Sequence, residues 1–119
     1  MKKKTVETKR DGRYAITEAK KATVILPARP EEDQFIYIIN KSSDEITVQA
    51  APQAVIHGYL TTKPGGKMSS VSQSASMNLI FVGKSNVSGR MRDTWVVWTM
   101  VGEWDVEVDD RKEEEVIQL

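Results

Sequence analysis

Short apolar runs, each broken within a few residues by proline, glycine or a polar turn, are the feature that most limits how this chain can fold. One run begins at Ala22 and stops before Pro27, and the next spans residues 34–40. Roughly seven to nine such runs follow one another at a spacing of roughly 8–12 residues, which is typical of all-β modules. No long segment of helical period is visible outside residues 109–119, which could form a helical turn, and no clear internal repeat is visible. The pattern predicts an all-β fold, a small antiparallel sandwich or barrel-like module.

Two runs, residues 34–40 and 94–101, are apolar on both faces of the predicted strand, because large apolar side chains occupy consecutive positions. A strand of this kind is buried on both sides, either within a domain or where two subunits meet. The hydrophobic content of 39% is below the globular average of about 45–50%. The chain would therefore gain stability by burying surface against copies of itself, and Phe35 and Tyr37 are predicted interface residues.

Three tryptophans, Trp95, Trp98 and Trp104, lie near the end of the chain. Trp95 and Trp98 are three positions apart, so in one strand they point to opposite faces and at least one leaves a single-faced core. Large aromatic side chains anchor subunit interfaces, and they also stack on sugars or bases. We assign all three to core or interface packing and add them to Phe35 and Tyr37 as candidate subunit or partner contacts.

Charged residues are concentrated at the two ends of a chain whose 17 basic and 17 acidic residues cancel. This distribution predicts a basic N-terminal arm over residues 1–12, a β module over 13–108 and an acidic C-terminal tail over 109–119. Both ends could simply be solvated, or the arm could dock on a neighbour's tail or a shell protein at close range. The candidate shell contacts are Lys2, Lys3, Lys4, Lys9 and Arg10.

Several classes of function lack the residues they need. A net charge of zero argues against nucleic-acid binding, which favours a basic domain. The chain has no cysteine, so disulfides and thiolate metal sites are excluded. No apolar run approaches the ~18 residues that a membrane span needs, and the basic start is not followed by the apolar stretch of a signal peptide. We therefore expect no nucleic-acid partner, no membrane association and no cofactor.

Catalytic patterns are equally weak. The one histidine, His57, has no evident triad or metal-site partners, and we interpret it as a hydrogen-bonded structural residue. Residues 64–69 lack the glycine and hydroxyl positions of a phosphate loop and predict a hairpin turn. The acidic clusters at residues 31–33 and 109–110 do not differ from ordinary turn residues. No catalytic or metal-binding residue is assigned, and the chain is predicted not to be an enzyme.

Three polar segments allow two interpretations each. Residues 83–93 predict a long loop, which could be plain solvent-exposed chain or a recognition surface. Alternate serines over residues 70–76 would line one face of an extended chain or form an ordinary polar loop. The sequence Asn40-Lys-Ser42 matches the glycosylation acceptor pattern, which also occurs often by chance.

The order of several short motifs resembles a small β-module of phage fibre and virion decoration proteins. A tyrosine-to-threonine segment at residues 14–17 leads into Leu-Pro-Ala-x-Pro at 26–30 and then into the apolar strand at 35–40. The motifs that follow in the same order are Ile-Thr-Val at 46–48, Ile-His-Gly at 56–58, a second apolar strand at 77–82 and a tryptophan strand at 94–97. The turn at 31–34 lacks that module's usual glycine, and the segment at 83–93 is longer than expected.

The resemblance implies a non-enzymatic virion component, usually a homotrimer. Because the chain starts at Met1 and ends at residue 119, we expect a free-standing product: a capsid decoration or cement protein, or a short head fibre. It would be made in the host cytoplasm, lie on the capsid surface and contact the major capsid protein or other virion proteins. The alternative is a tail-fibre component that binds a host-surface glycan, with residues 83–93 as the first candidate contact. A third reading, a hydrolase of cell-wall sugars, would need two carboxylates facing each other across a cleft.

Overall fold

The computed structural model describes residues 4–7, 11–17, 21–87 and 89–108, which form ten strands and no helix. The predicted all-β class is confirmed. The strands are β1 Lys4–Glu7, β2 Gly12–Ile16, β3 Ala22–Ile25, β4 Phe35–Asn40, β5 Ile46–Gln49, β6 Ala54–His57, β7 Lys67–Ser70, β8 Ser76–Val87, β9 Arg90–Val101 and β10 Asp105–Val106.

The strands form two five-stranded sheets, in the order β1-β3-β5-β7-β10 for sheet A and β2-β4-β8-β9-β6 for sheet B. The first eight strands alternate between the sheets. Three of the same-sheet pairs among them, β1–β3, β3–β5 and β2–β4, run parallel. The other pairs are antiparallel except β6–β9. Both sheets are therefore mixed and the prediction of an antiparallel module was wrong. A connection that crosses to the other sheet allows the next strand of the first sheet to run parallel, which a tight hairpin does not.

A Thr-Val pair recurs in register across three strands of sheet A. Thr5 pairs with Thr23 and Thr23 with Thr47, so their hydroxyls share the outer face. The following valines therefore point inward, where Val24 and Val48 are fully buried and Val6 packs partly buried beside them. When neighbouring strands repeat the same outward residue and the same inward residue, they can stack in register. This repeat was not visible in the sequence.

The core lies between the two sheets, and the strands of sheet B supply more of its buried apolar side chains than those of sheet A. Alternate residues of each strand point inward, as the buried and partly buried pattern of β3 and β5 shows. The largest fully buried side chains are Trp95, Leu26, Ile36, Ile38, Ile46, Ile56, Met68, Met77 and Leu79. Trp104, just before β10, and Val106 within it close the core on this side.

The segment at residues 83–93 is not a loop but the end of the β8–β9 hairpin. Lys84 pairs with Asp93 across the hairpin, and their side chains form a 3.0 Å ion pair. In the described residues, β4 accompanies β8 only to Ile80 and β6 accompanies β9 only from Asp93 onwards. The end of the hairpin can therefore be solvated on both faces. Because both faces can contact water, residues 83–93 have the polar composition of a loop although they form strands.

Residues 63–66 form a turn, as predicted, but one that joins β6 of sheet B to β7 of sheet A rather than closing a hairpin. The amide of Gly66 donates to the carbonyl of Lys63 at 2.8 Å. A Cβ atom at Gly66 would lie 2.7 Å from that carbonyl oxygen and 3.2 Å from the carbonyl oxygen of Glu107. The absence of a side chain lets the chain just after β10 pack close to this turn.

Replacing Gly66 with alanine is expected to lower the free energy of unfolding by about 1–3 kcal/mol, because backbone atoms must move to admit the methyl group. The matched control is Gly58→Ala, whose Cβ would meet its nearest atom, Val97 Cβ, at an ordinary 3.6 Å. That change should stay within about 0.5 kcal/mol. Urea unfolding measures both, and equal losses would contradict the close-approach argument.

Candidate interaction surface

The outer face of sheet B carries a cluster of apolar side chains. In one row across the sheet Phe35 pairs with Ile80, and Ile80 pairs with Val96. Val82, two residues beyond Ile80, lies on the same face by strand alternation. We call the whole set the sheet B patch: Phe35, Tyr37, Ile39, Ile80, Val82, Val96, Trp98 and Val101.

Exposure shows which part of the sheet B patch is accessible. Phe35 is 46% exposed, Trp98 is 66% exposed and Val101 is 61% exposed. Tyr37 is half-buried. The outward residues of β4 are uncharged, whereas the exposed Arg13 of β2 pairs with Tyr37 at the edge of the patch. Enrichment in aromatic residues is typical of the centre of an interface.

A β-bulge lies at the outward-facing Trp98. Leu79 pairs with Val97 and Asn78 with Thr99, so Trp98 is the extra residue between the two pairs. The side-chain amide of Asn78 donates to the hydroxyl of Thr99 at 2.6 Å, which links the two strands beside the bulge. The exposed indole ring therefore lies on a fixed stretch of backbone.

Trp95 and Trp104 are buried within the chain itself. Trp95 is fully buried, and its ring centroid lies 5.3 Å from that of Phe81. Trp104 is 4% exposed, and its indole N–H donates to the carbonyl of Val101 at 3.0 Å. Trp95 and Trp98 thus lie on opposite faces, as predicted. Of the five candidate contacts, Phe35, Tyr37 and Trp98 are on the accessible surface of the chain.

The charged ends are mostly outside the described residues. This holds for Lys2, Lys3, Lys9 and Arg10 of the predicted arm and for the acidic tail, residues 109–119. Lys4 is the first residue of β1, so residues Lys4–Glu7 of the predicted arm belong to sheet A. Part of the predicted arm is therefore a strand of sheet A, where it pairs with β3 of the predicted module.

The polar residues singled out in the sequence have local structural contacts. The Nδ1 atom of His57 lies 2.6 Å from the hydroxyl of Thr61, which confirms the hydrogen-bonded interpretation. Asn40 is fully buried, so its acceptor motif is inaccessible in the folded chain. The serines at 70–76 do not share one face, since Ser74 has a φ of 68° and breaks the extended chain.

No group of histidine and carboxylate side chains among the described residues could hold a metal ion. The same part of the chain has no helix long and apolar enough to cross a membrane. Glu31, Glu32 and Asp33 are exposed in the connection between β3 and β4.

Five residues of the sheet B patch were not among the candidate contacts: Ile39, Ile80, Val82, Val96 and Val101. A signal for them was present, because residues 79–82 and 95–98 have large apolar side chains at every position. Such runs contribute one set of residues to the core and the other to the outer face. No protein-family model matches the chain, and no curated protein matches it in sequence.

Proposed function

We propose that this chain is a non-enzymatic structural protein of a phage particle, a capsid decoration or cement protein or a short head fibre. In this proposal it assembles as a homotrimer through the sheet B patch. The observation that supports self-association is the exposure of Phe35, Trp98 and Val101 on one face of sheet B. The virion assignment depends on the order of motifs over residues 14–97, which resembles a fibre module.

The sheet B patch has the composition of an interface core. Monomeric proteins rarely expose large contiguous apolar patches, since the water-exposed apolar area is unfavourable by roughly 25 cal/mol per Å². Trp98 has the size and position of an anchor residue, and the bulge presents it without a cost in backbone order on binding. A second and third copy would cover the patch, and the charged ends would be left to contact the shell.

Light scattering of the purified chain tests the assembly, with an expected mass three times that of the 13.4 kDa chain. Trp98→Lys should return the mass to that of one chain, because three buried ammonium groups would lack partners. The matched control is Val71→Lys, since Val71 is 74% exposed in the connection between β7 and β8 and lies outside the patch. A native protein that stays monomeric at high micromolar concentration, and also fails to trimerise with its shell partner, would contradict the proposal.

Decoration of a capsid is tested separately from trimer formation. Purified shells should bind the chain in many copies and resist higher temperatures when decorated, because multivalent weak contacts add up. A trimer that leaves shell stability unchanged would support the fibre form of the proposal over the cement form.

The second candidate, a tail-fibre component that binds a host-surface glycan, is favoured by one observation. The exposed indole of Trp98 lies beside the hydrogen-bonded pair Asn78 and Thr99, and an aromatic face next to amide and hydroxyl groups suits a sugar ring. A glycan array distinguishes the two: affinity abolished by Trp98→Ala would favour the receptor function.

A further inference from the structure

The β8–β9 hairpin carries two arginines on one face. Arg90 is exposed and Arg92 is half-buried, and they occupy alternate positions of β9, on the face that carries Val96 of the sheet B patch. On the opposite face of the hairpin Lys84 and Asp93 form their 3.0 Å ion pair. This is one of two ion pairs within the described residues, and neither involves an arginine. The positive charge of this face is therefore uncompensated in that part of the chain.

Three exposed carboxylates lie at the same end of sheet B. Glu31, Glu32 and Asp33 precede β4, and the amide of Asp33 donates to the carbonyl of Phe81 in β8 at 2.8 Å. The side chain of Glu32 lies against Gly83, where a Cβ atom would meet its Oε2 atom at 3.0 Å. The turn is therefore attached to the β4 side of β8, and its carboxylates form no ion pair with any described residue.

Within one chain, β8 separates the arginines from the carboxylates. The strand order β2-β4-β8-β9-β6 places the acidic turn on one side of β8 and the arginines on the other, two strand spacings or roughly 10 Å apart. Arg92 is also in register with Ser85, two residues beyond Gly83 along β8. Both charged groups are therefore accessible to a second chain.

We propose that Arg90 and Arg92 of one chain form ion pairs with Glu31 and Glu32 of the next copy in the trimer. This contact rests on the proposed assembly through the sheet B patch and adds the surface that closes the ring. A closed ring of three needs a heterologous contact, in which each copy offers two different surfaces. With the three-fold axis along the strands, rotation leaves every residue at its own position along the axis. The β9 side of one hairpin then meets the acidic turn on the β4 side of its neighbour.

Charge compensation is the physical reason for this pairing. The two arginines continue the face of the sheet B patch past its end, so assembly through the patch brings two guanidinium groups from each copy toward one axis. Without counter-charges they would repel one another, and the carboxylates of the neighbouring turns replace that repulsion with attraction. Exposed ion pairs contribute little energy individually. Their main effect is to determine which surfaces meet and in which orientation.

The first test joins chains that carry one cysteine each, which is possible because the native chain has none. Arg90→Cys and Glu31→Cys chains are mixed, allowed to exchange and treated with a short bis-maleimide. The expected product contains one chain of each kind, at about five times the yield from Arg90→Cys mixed with Lys41→Cys, because proximity acts as a high effective concentration. Lys41 is exposed just after β4, roughly 20 Å from the acidic turn. A yield no higher than that of the control overturns the contact.

Charge reversal gives a second measurement. Arg90→Glu with Arg92→Glu should raise the concentration at which half of the trimer dissociates by about tenfold, because like charges then face each other across the contact. Adding Glu31→Arg and Glu32→Arg to the same chain restores opposite charges. The concentration should then return to within about threefold of the native value, since residues in contact are not independent.

The control is Lys41→Glu with Lys21→Glu, which makes the same change in net charge at two exposed sites outside both surfaces. This variant should dissociate at about the native concentration, because surface charges far from a contact are screened by salt. A control that weakens the trimer as much as the arginine reversal, or a swapped chain that is not restored, overturns the pairing.

Light scattering of the native chain separates failure of this contact from failure of the trimer. A native trimer that shows neither the cross-link nor the charge effect overturns the contact and leaves the proposed assembly in place. A native chain that stays monomeric under the conditions that test the trimer overturns both.

Discussion

Replacing Trp95 with alanine is expected to lower the free energy of unfolding by about 3–5 kcal/mol. Trp95 is fully buried and packs at a tilt of 58° against the ring of Phe81. Alanine leaves a large cavity between the two sheets that their paired strands cannot collapse to fill. A domain of this size has a total stability of about 5–15 kcal/mol, so the variant would lose a large part of it.

The Trp95→Phe variant separates the effect of the ring's volume from the effect of its buried indole N–H. The indole N–H of Trp95 is buried and has no hydrogen-bond acceptor among the described residues. An unpaired buried donor costs about 1–3 kcal/mol, so phenylalanine removes volume and this cost together. We therefore expect Trp95→Phe to lose less than half as much as Trp95→Ala.

Both variants are measured by urea unfolding followed by circular dichroism, since fluorescence would change with the tryptophan itself. Protein concentration is held constant, because the stability of a self-associating chain depends on it. The control is Val71→Ala, an exposed site that should shift stability by no more than about 0.5 kcal/mol. A loss for Trp95→Ala as small as that of the control would contradict its place in the core.

Asn40→Ala is expected to cost about 2–4 kcal/mol, from two or more buried groups left unpaired at about 1–3 kcal/mol each. The side-chain amide of Asn40 donates to the carbonyl of Asp44 at 2.9 Å. Its carbonyl oxygen accepts from the amide of Ser42 at 3.0 Å and from the hydroxyl of Ser42 at 2.7 Å. These three bonds hold the turn that carries the chain from β4 in sheet B to β5 in sheet A.

The matched control is Asn86→Ala in the β8–β9 hairpin. The side chain of Asn86 is exposed and accepts one bond, from the amide of Gly89 at 2.9 Å. Water can replace that bond, so the loss should stay below about 1 kcal/mol. Thermal unfolding at one protein concentration compares the pair, and similar melting temperatures for the two variants would show that the buried network around Asn40 is not a major source of stability.

The strands were predictable where the signals that define them lie in neighbouring residues of the sequence. The runs that became β3, β4 and β5 were identified to within a residue or two, because β-branched content and terminating prolines or polar turns act over neighbouring positions. The end of the β8–β9 hairpin was not, since a two-stranded segment solvated on both faces has no apolar alternation to reveal it. The Thr-Val repeat was hidden for a different reason: two residues in each of three unequally spaced places are too few to stand out.

The candidate interface residues were also predictable in part from local sequence and in part only from the surrounding sheet. Two-faced apolar runs predicted that Phe35, Tyr37 and one of Trp95 and Trp98 would lie outside the core, because consecutive strand residues point in opposite directions. Which tryptophan points outward depends on the sheet around it. Trp95 is inside because it pairs with the core residue Phe81, and strand alternation then places Trp98 outside.

The sequence by itself therefore determined the all-β class, the positions of most strands and the presence of apolar side chains on two faces of the central ones. Only the tertiary structure decided that successive strands alternate between two sheets, that both sheets are mixed, and that Trp104 belongs to the core while Trp98 does not. The physical reason is the separation along the chain between the residues that interact. Alternation, turns and strand propensity depend on neighbours in sequence, whereas the choice of sheet, the register and the burial of a given side chain depend on contacts between strands that are distant in the chain.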